Sequence, residues 1–210
     1  MKILNLYAGI GGNRKLWGNE HEITAIENNK QIARIYQEFF PDDIVLITDA
    51  HDYLLNYFKG YDFIWSSPPC PSHSRIRRFL AVEIGQNKPV YPDMKLYEEI
   101  VFLKSYFEGK WVVENVIGFY EPLIKPFEVA SHYIWSNVFI DNISFIGSRQ
   151  HNSKISELEE RKGFDLTHLN VIGIEKELLL RNCVEPELGK HIFDCVFKDN
   201  KTQIDLEEFM

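Results

Sequence analysis

Three observations predict an α/β fold built on a mostly parallel sheet. Short apolar runs alternate with helical patterns from Ile3 to Val116, the alternation that covers both faces of a parallel sheet with helices. A glycine-rich turn, Gly9-Ile-Gly-Gly12, follows the first apolar run directly. A thiol, Cys70, and a carboxylate, Glu114, fall at the ends of two later runs. The carboxyl ends of parallel strands are where an open α/β sheet keeps its ligands. The three features point to a nucleophilic cysteine, an assisting acid and a bound cofactor.

The elements follow in chain order. Ile3–Tyr7 reads as a strand, and Asn13–Gly18 as a short helix after the glycine turn. Ile23–Glu27 is a second strand. Asn29–Phe40 carries apolar residues at Ile32, Ile35, Tyr36, Phe39 and Phe40, a helical stripe that Pro41 ends. Val45–Asp49 is a third strand, followed by an amphipathic stretch to Lys59, and Tyr61–Ser66 a fourth. Pro92–Glu108 is a helix with a stripe at Met94, Tyr97, Val101 and Phe102, and Trp111–Val116 is the fifth strand. Beyond residue 120 the pattern changes. Val129–Ile140 alternates and is aromatic-rich, Asn142–Ile146 reads as a further extended piece, and Ser153–Gly163 is either a solvent-facing helix or a mobile loop. Leu188–Phe197 is a final helix. No repeat or linker divides the chain, so residues 1–210 are read as one domain.

The composition fits that reading. With 210 residues, 45% of them hydrophobic and 14% aromatic, the chain has ample material for a single core. No apolar run approaches the ~18 residues of a membrane span, and Met1-Lys2-Ile3 leads straight into a strand, so no membrane partner and a cytoplasmic location are expected. Cys70, Cys183 and Cys195 form no C-x-x-C pair, which argues against a zinc site and a disulfide framework. Cys183 and Cys195 read as small buried hydrophobes. The net charge of −8 opposes binding to phosphates, but a local patch can coexist with an acidic whole. Ser74-Arg75-Ile-Arg77-Arg78, just after Cys70, is the candidate patch, with Arg149 a weaker one; the bland reading is a solvated surface. A loop over Arg75–Asn87 with Gly85 as hinge is expected to close on the nucleic acid.

The glycine turn lies between a strand and a helix, as a nucleotide-type ligand requires. A dinucleotide fingerprint would place its third glycine where Arg14 stands, so Gly9, Gly11 and Gly12 fit a close-approach loop for an adenosine-bearing ligand without a pyrophosphate. Glu27 ends the second strand and can accept both ribose hydroxyls. Asp49 ends the third and is placed to accept from an adenine amino group. The alternative for each carboxylate is an N-cap of the next helix.

With these residues in view, the chain resembles the cytosine-C5 DNA methyltransferases over residues 1–150 and 178–197. Leu6-Tyr7-Ala8-Gly9-Ile10-Gly11-Gly12 resembles the family's first motif, Ala25-Ile26-Glu27-Asn28-Asn29 its second, and Thr48-Asp49-Ala50 its third. Pro68-Pro69-Cys70-Pro71-Ser72-His73-Ser74 is similar to the nucleophile motif, Glu114-Asn115-Val116 to the Glu-Asn-Val motif, and Asn182-Cys183-Val184 to the late motif that returns to the cofactor. The resemblance implies a Rossmann-like S-adenosylmethionine-dependent methyltransferase fold, S-adenosylmethionine as cofactor, and cytosine-containing DNA as partner, in DNA methylation of the restriction-modification kind. It implies that Tyr7, Ala8, Gly9, Gly11, Gly12, Glu27, Asn28, Asp49, Ala50, Pro69, Asn182 and Val184 hold the cofactor. Cys70 would add to C6 of a flipped cytosine, its pKa lowered by the following helix or nearby arginines. Glu114 would contact N3 and the exocyclic amine, and Asn115 would fix the proline turn. Ser74, Arg75, Arg77, Arg78 and Arg149 would contact nucleic acid.

Three departures stand out. Pro71 replaces the glutamine usual after the nucleophile. Ser131–Ser136 occupies the place of an arginine-bearing motif but contains no arginine, leaving Arg149 as a substitute. Residues 147–180 form a reduced insertion where the family carries a target-recognition domain. The site read is therefore short, specificity is loose, or a specificity-supplying partner or homo-oligomer completes it. An RNA (tRNA-type) cytosine-C5 methyltransferase and a non-catalytic DNA- or cofactor-binding relative are the alternatives, and Arg14 argues against a nicotinamide-dependent enzyme.

Overall fold

The computed structural model describes residues 1–86, 88, 90–143, 154–169 and 173–198. β1 (Lys2–Leu6) is buried from Ile3 onward, as a strand covered on two faces must be. The glycine turn and one turn of 3₁₀ helix (Asn13–Leu16) lead to β2 (Glu22–Ile26). Asn29 starts α1 (Lys30–Phe39) by accepting the N–H groups of Gln31 and Ile32. β3 (Ile44–Leu46) is followed by α2 (Ala50–Tyr57), which Asp49 caps, and by β4 (Phe63–Ser66). α3 (Arg75–Arg78) runs on as a wider π turn over Phe79–Glu83. The segment expected to be a mobile loop is therefore helical as far as Glu83, because Ser74 caps it; Gly85 follows at φ +72°, and Asn87 lies outside the described residues. Next come α4 (Lys95–Tyr106), β5 (Lys110–Val116), β6 (Phe127–Val129) and β7 (His132–Ser136). α5 (Ile155–Lys162), α6 (Lys176–Asn182) and α7 (Pro186–Phe197) complete the described chain. The charged segment after Ser153 is thus a helix, anchored by buried Leu158 and closed by Gly163 in the left-handed region. The expected extended piece at Asn142–Ile146 lies largely outside the described residues, as does part of 147–180.

The seven strands form a mostly parallel sheet in the order β3-β2-β1-β4-β5-β7-β6. β1 to β5 pair parallel, and β7 runs antiparallel to both its neighbours. The chain winds outward one way from β1 and the other way from β4, so the direction switches between them. Leu6 stands opposite both Ile26 and Ser66, which brings the ends of three strands level beside that switch, and Ser66 stands opposite Val113, so β5 runs three residues further to Val116. A crevice for ligands opens at this point in such sheets.

Alternation along the strands feeds two cores. Leu4, Leu6, Ile64 and Val113 pack on one face with Leu54 of α2 and Leu96, Ile100 and Leu103 of α4. Ile3, Phe63, Trp65 and Val112 pack on the other with Trp17 and with Leu188, Ile192 and Val196 of α7. The buried side of α4 differs from the expected stripe: Met94 and Val101 are exposed, while Leu96, Tyr97, Ile100 and Leu103 are buried together with Glu99. The expected stripe kept that carboxylate out of the core; the fold accepts it because partners on three other segments meet it there. Among the described residues no helix is long and apolar enough to cross a membrane.

Arg14 also goes inside. Its guanidinium is 3% exposed with the rest of the residue and donates to Asp43 at 2.9 and 3.2 Å, and Tyr36 donates to the same carboxylate at 2.7 Å. The cation lies 5.0 Å above the Phe40 ring. Removing one partner of a buried pair leaves an uncompensated charge. Asp43→Ala is therefore expected to lower stability by about 3–5 kcal/mol, measured as the midpoint of urea unfolding; an unchanged midpoint would show that the pair carries no net stability.

Candidate active site

The glycine turn starts with a strained residue. Tyr7 has φ +55°, a left-handed conformation that a bulky side chain adopts at a cost. Its hydroxyl donates to Glu99 at 2.6 Å, which helps hold it there. Gly9, at φ +56°, would carry a Cβ into open space, whereas a Cβ on Gly11 would strike Phe40 and one on Gly12 would strike Cys183 and Val184. The expected close-approach role thus belongs to Gly9. Gly11 and Gly12 are glycine because α1 and the turn after α6 press against them. Val184 closes the back of the turn in this way, while Asn182 is exposed at the end of α6. Ala8 and Ala50 are buried in the core.

Glu27 and Asp49 divide the two readings between them. Glu27 accepts the N–H of Gly9 at 3.1 Å and of Asn29 at 2.9 Å, and it is Asn29 that caps the helix. Burial pushes the Glu27 carboxyl up from its usual value, and the backbone N–H bonds pull it back. Each of its oxygens keeps a further lone pair. Asp49 caps α2 through one oxygen, at 2.9 Å from the N–H of Asp52, and is exposed. Asp49, Tyr7, Asn28, Pro68, Pro69, His73 and Leu96 line an open cleft of about 470 Å³.

Cys70 lies beside this cleft. β4 ends at Ser66, and the Pro68-Pro69 turn carries the half-buried thiol into a helical turn, where the Cys70 carbonyl accepts the N–H groups of His73 and Ser74 at 3.0 Å. Asn115 at the end of β5 donates to the Pro68 carbonyl at 2.9 Å and accepts the Val116 N–H at 2.9 Å. That bond ties the thiol turn to the strand that carries Glu114. Glu114 is 6% exposed, and His132 of β7 reaches it at 3.7 Å. Burial first, and then the Glu114 charge, push the Cys70 thiol up from its usual value. The sequence reading expected the opposite. The reason lies in where the nearby cations go: Arg75 donates to the Gly118 carbonyl at 2.7 Å, and Arg78 pairs with Glu83 at 3.6 Å and lies 5.4 Å over the Phe119 ring. α3 is only one turn long.

Of the expected nucleic-acid contacts, Ser74 is spent as the cap of α3, at 3.3 Å from the Arg77 N–H. Arg77 is half-buried, and its Nε has no hydrogen-bond partner. Arg149 lies outside the described residues. Sequence reasoning missed Glu99, which is fully buried and accepts from Tyr7 and from Ser66, each at 2.6 Å, and meets His51 Nδ1 at 3.0 Å. The available signal was a carboxylate between Leu96 and Leu103 on an apolar helical face. It also passed over His73 and His132.

A model of C-5 cytosine-specific DNA methylases matches residues 1–122. The chain belongs to that family. The matched stretch contains the glycine turn, Glu27, Asp49, Cys70, Glu114 and Asn115, while β6, β7 and the last three helices lie beyond it. The chain is similar to a solved DNMT2 variant from Spodoptera frugiperda, with 28% identity over 56% of this chain and 36% of that one and a TM-score of 0.39. It is similar to a prophage-encoded DNA modification methyltransferase of Escherichia coli, with 18% identity over 58% and 33% and a TM-score of 0.38. A methyltransferase of Entamoeba histolytica, EhMeth, gives 14% identity over 75% and 59% and a TM-score of 0.43. The chain spans about a third of the length of the first two. No curated protein matches it. The family's methyl donor is S-adenosylmethionine. The residues present fit an adenosine-bearing ligand: Gly9 leaves open space beside the turn, Glu27 and Asp49 both retain acceptor oxygens, and Asp49 lines the cleft.

The electrostatics around Cys70 can be read directly. Glu114→Gln removes the negative charge that disfavours the thiolate, so the thiol pKa falls and more thiolate exists at neutral pH. Alkylation of Cys70 by iodoacetamide at pH 7 is expected to run faster in Glu114→Gln than in wild type, followed by mass spectrometry. Equal rates would remove Glu114 as the cause.

Proposed function

We propose that this chain transfers a methyl group from S-adenosylmethionine to C5 of cytosine in DNA through a covalent adduct between Cys70 and C6. The observation that carries this reading is the bond from Asn115 to Pro68, which holds the Cys70 turn against the strand end bearing Glu114. Tyr7, Gly9, Glu27, Asn28, Asp49 and Pro69 would hold the cofactor in the adjoining cleft. When bound, S-adenosylmethionine supplies an electrophilic sulfonium methyl.

The remaining steps belong to this chain's residues. C5 of cytosine is a weak nucleophile, and addition of the Cys70 thiolate at C6 makes it enamine-like. The electron pair displaced from the C5–C6 bond moves into the ring toward N3. Glu114 stabilises that charge by sharing a proton with N3 and accepts from the exocyclic amine. Cys70 and Glu114 are coupled by charge. The proton that Cys70 loses as it adds to C6 is the one that comes to be shared between Glu114 and N3, so thiolate formation and charge growth on the base balance within the site. Loss of the C5 proton and expulsion of the thiolate then restore the ring. A pocket at this depth requires the base to leave its stack. Arg75 and Arg78 are engaged with the protein, which leaves the Arg77 guanidinium, whose Nε is buried, to reach a backbone phosphate through its terminal nitrogens.

Bisulfite sequencing of DNA from cells expressing the chain tests the activity and its sequence context, with RNA from the same cells as the second arm. Cys70→Ala is expected to abolish methylation and leave cofactor affinity nearly intact. DNA carrying 5-fluorocytosine is expected to trap wild type covalently; equal trapping of Cys70→Ala would refute the nucleophile assignment. For Arg77→Ala, DNA affinity is expected to weaken across all sequences and the slope against log salt to fall by about one. Parallel slopes with equal affinity would return Arg77 to the solvated surface.

A further inference from the structure

One buried carboxylate has no part in the chemistry above, yet several walls of the cleft meet at it. Glu99 stands on the inner side of α4 with no solvent exposure. One of its oxygens accepts from the Tyr7 hydroxyl at 2.6 Å and meets His51 Nδ1 at 3.0 Å, and the other accepts from the Ser66 hydroxyl at 2.6 Å. His51 Nε2 lies 3.5 Å from Glu98 on its far side. Each partner leads to the cleft. Tyr7 lines it directly. Ser66 ends β4, two residues before Pro68, and Pro68 and Pro69 line it. His51 stands in the first turn of α2, two residues after the lining carboxylate Asp49. Lys95 and Leu96, on α4 itself, complete that list.

Tyr7 is the partner under strain. Its φ of +55° is a conformation that a bulky residue keeps only when its surroundings impose it. A short bond from its hydroxyl to a carboxylate is charge-assisted and strong enough to do so. Two residues on, Gly9 has open space beside it and donates its N–H to Glu27. A Tyr7 that relaxed to negative φ would re-aim the chain into Gly9 and draw it away from Glu27. We propose that Glu99 is a positioning residue for the cofactor: through the Tyr7 hydroxyl it holds the glycine turn in its left-handed form, and through Ser66 and His51 it holds the Pro68-Pro69 turn and the start of α2 around the same cleft. The proposal rests on the reading of that cleft as the S-adenosylmethionine site. Glu99 is fully buried and is not among the residues that line the cleft. Its effect therefore falls on the fraction of molecules whose cleft is shaped to bind, and apparent affinity drops by that fraction. The chemical step, once the cofactor is bound, is left unchanged.

The test is calorimetric titration with S-adenosylmethionine, read as affinity and as number of sites, followed by single-turnover methylation of DNA at saturating cofactor. Glu99→Gln keeps the shape and removes the charge. It is expected to weaken affinity roughly tenfold, as a fall of the competent fraction to about a tenth would, with one site per chain and a saturated rate close to wild type. Tyr7→Phe, which removes only the hydroxyl, is expected to weaken affinity similarly and keeps the test valid if Glu99→Gln does not fold. The double variant should bind little more weakly than Glu99→Gln alone, because both changes break one tether. A residue that merely stabilised the fold would lower the number of sites and leave their affinity alone, and that result would overturn the proposal. So would unchanged affinity in Glu99→Gln, losses that add in full in the double variant, or a fall in the saturated rate at unchanged affinity. Affinity is measured without nucleic acid, so this arm stands apart from the choice of DNA as substrate. If wild type binds no S-adenosylmethionine, the reading of the cleft falls and this proposal with it; if wild type binds and the variants match it, only Glu99 falls.

Discussion

A carboxylate with no solvent exposure, Glu99, sits under the point where the sheet reverses its winding. Burying such a charge is costly unless it is fully partnered. Its partners come from three different elements: the Tyr7 hydroxyl after β1, the Ser66 hydroxyl at the end of β4, and the His51 ring in the first turn of α2. The bond to Glu99, ahead of the cost of burial, pushes the His51 imidazole up from its usual value. The same carboxylate thus secures the strained Tyr7, the strand that delivers Pro68 and Cys70, and the helix that Asp49 caps. Tyr7, the turn after β4 and the start of α2, three parts of the cleft wall, are joined through it. It makes no contact with the reacting thiol, and its role is to position.

The acidic balance of the chain shapes the site in a less obvious way. Three arginines follow the nucleophile, yet two of them are engaged with the protein itself, Arg75 with Gly118 and Arg78 with Glu83 and Phe119. These bonds brace α3 against the loop after β5. They also remove the cations that would otherwise favour the thiolate. Burial and the Glu114 charge are left to push the half-buried Cys70 thiol up from its usual value. Ile76, Phe79 and Val82 are exposed on the same segment, so the surface beside Arg77 is apolar as well as basic.

Much of the fold was legible because parallel strands announce themselves. Ile3–Leu6, Ile23–Ile26 and Phe63–Ser66 are buried on both faces and so read as short apolar runs closed by turn residues. Their ends fell within a residue or two of the expected positions, which is why Glu27 and Cys70 stand out in the sequence; β3 instead ends at Leu46, three residues before Asp49. Asn29 and Asp49 cap the helices that follow by a local rule that sequence carries well. These are effects of neighbours in the chain, and the chain alone determined them.

What remained depended on neighbours in space. The inward turn of Glu99 breaks the apolar stripe of α4 and makes sense only with Tyr7, Ser66 and His51 in place. Gly11 and Gly12 look like ligand-contact glycines and prove to be packing glycines, since Phe40, Cys183 and Val184 arrive from distant segments. The direction of the Cys70 shift reversed because the fold buries the thiol, and then because Glu114 comes close through strand pairing while Arg75 and Arg78 turn to Gly118 and Glu83. His132 reaches Glu114 only through the antiparallel register of β5 and β7. Sequence determined which chemical groups stand at the ends of which strands. Tertiary structure decided their charge states and their partners, because burial and Coulomb interactions depend on distances that sequence spacing does not encode.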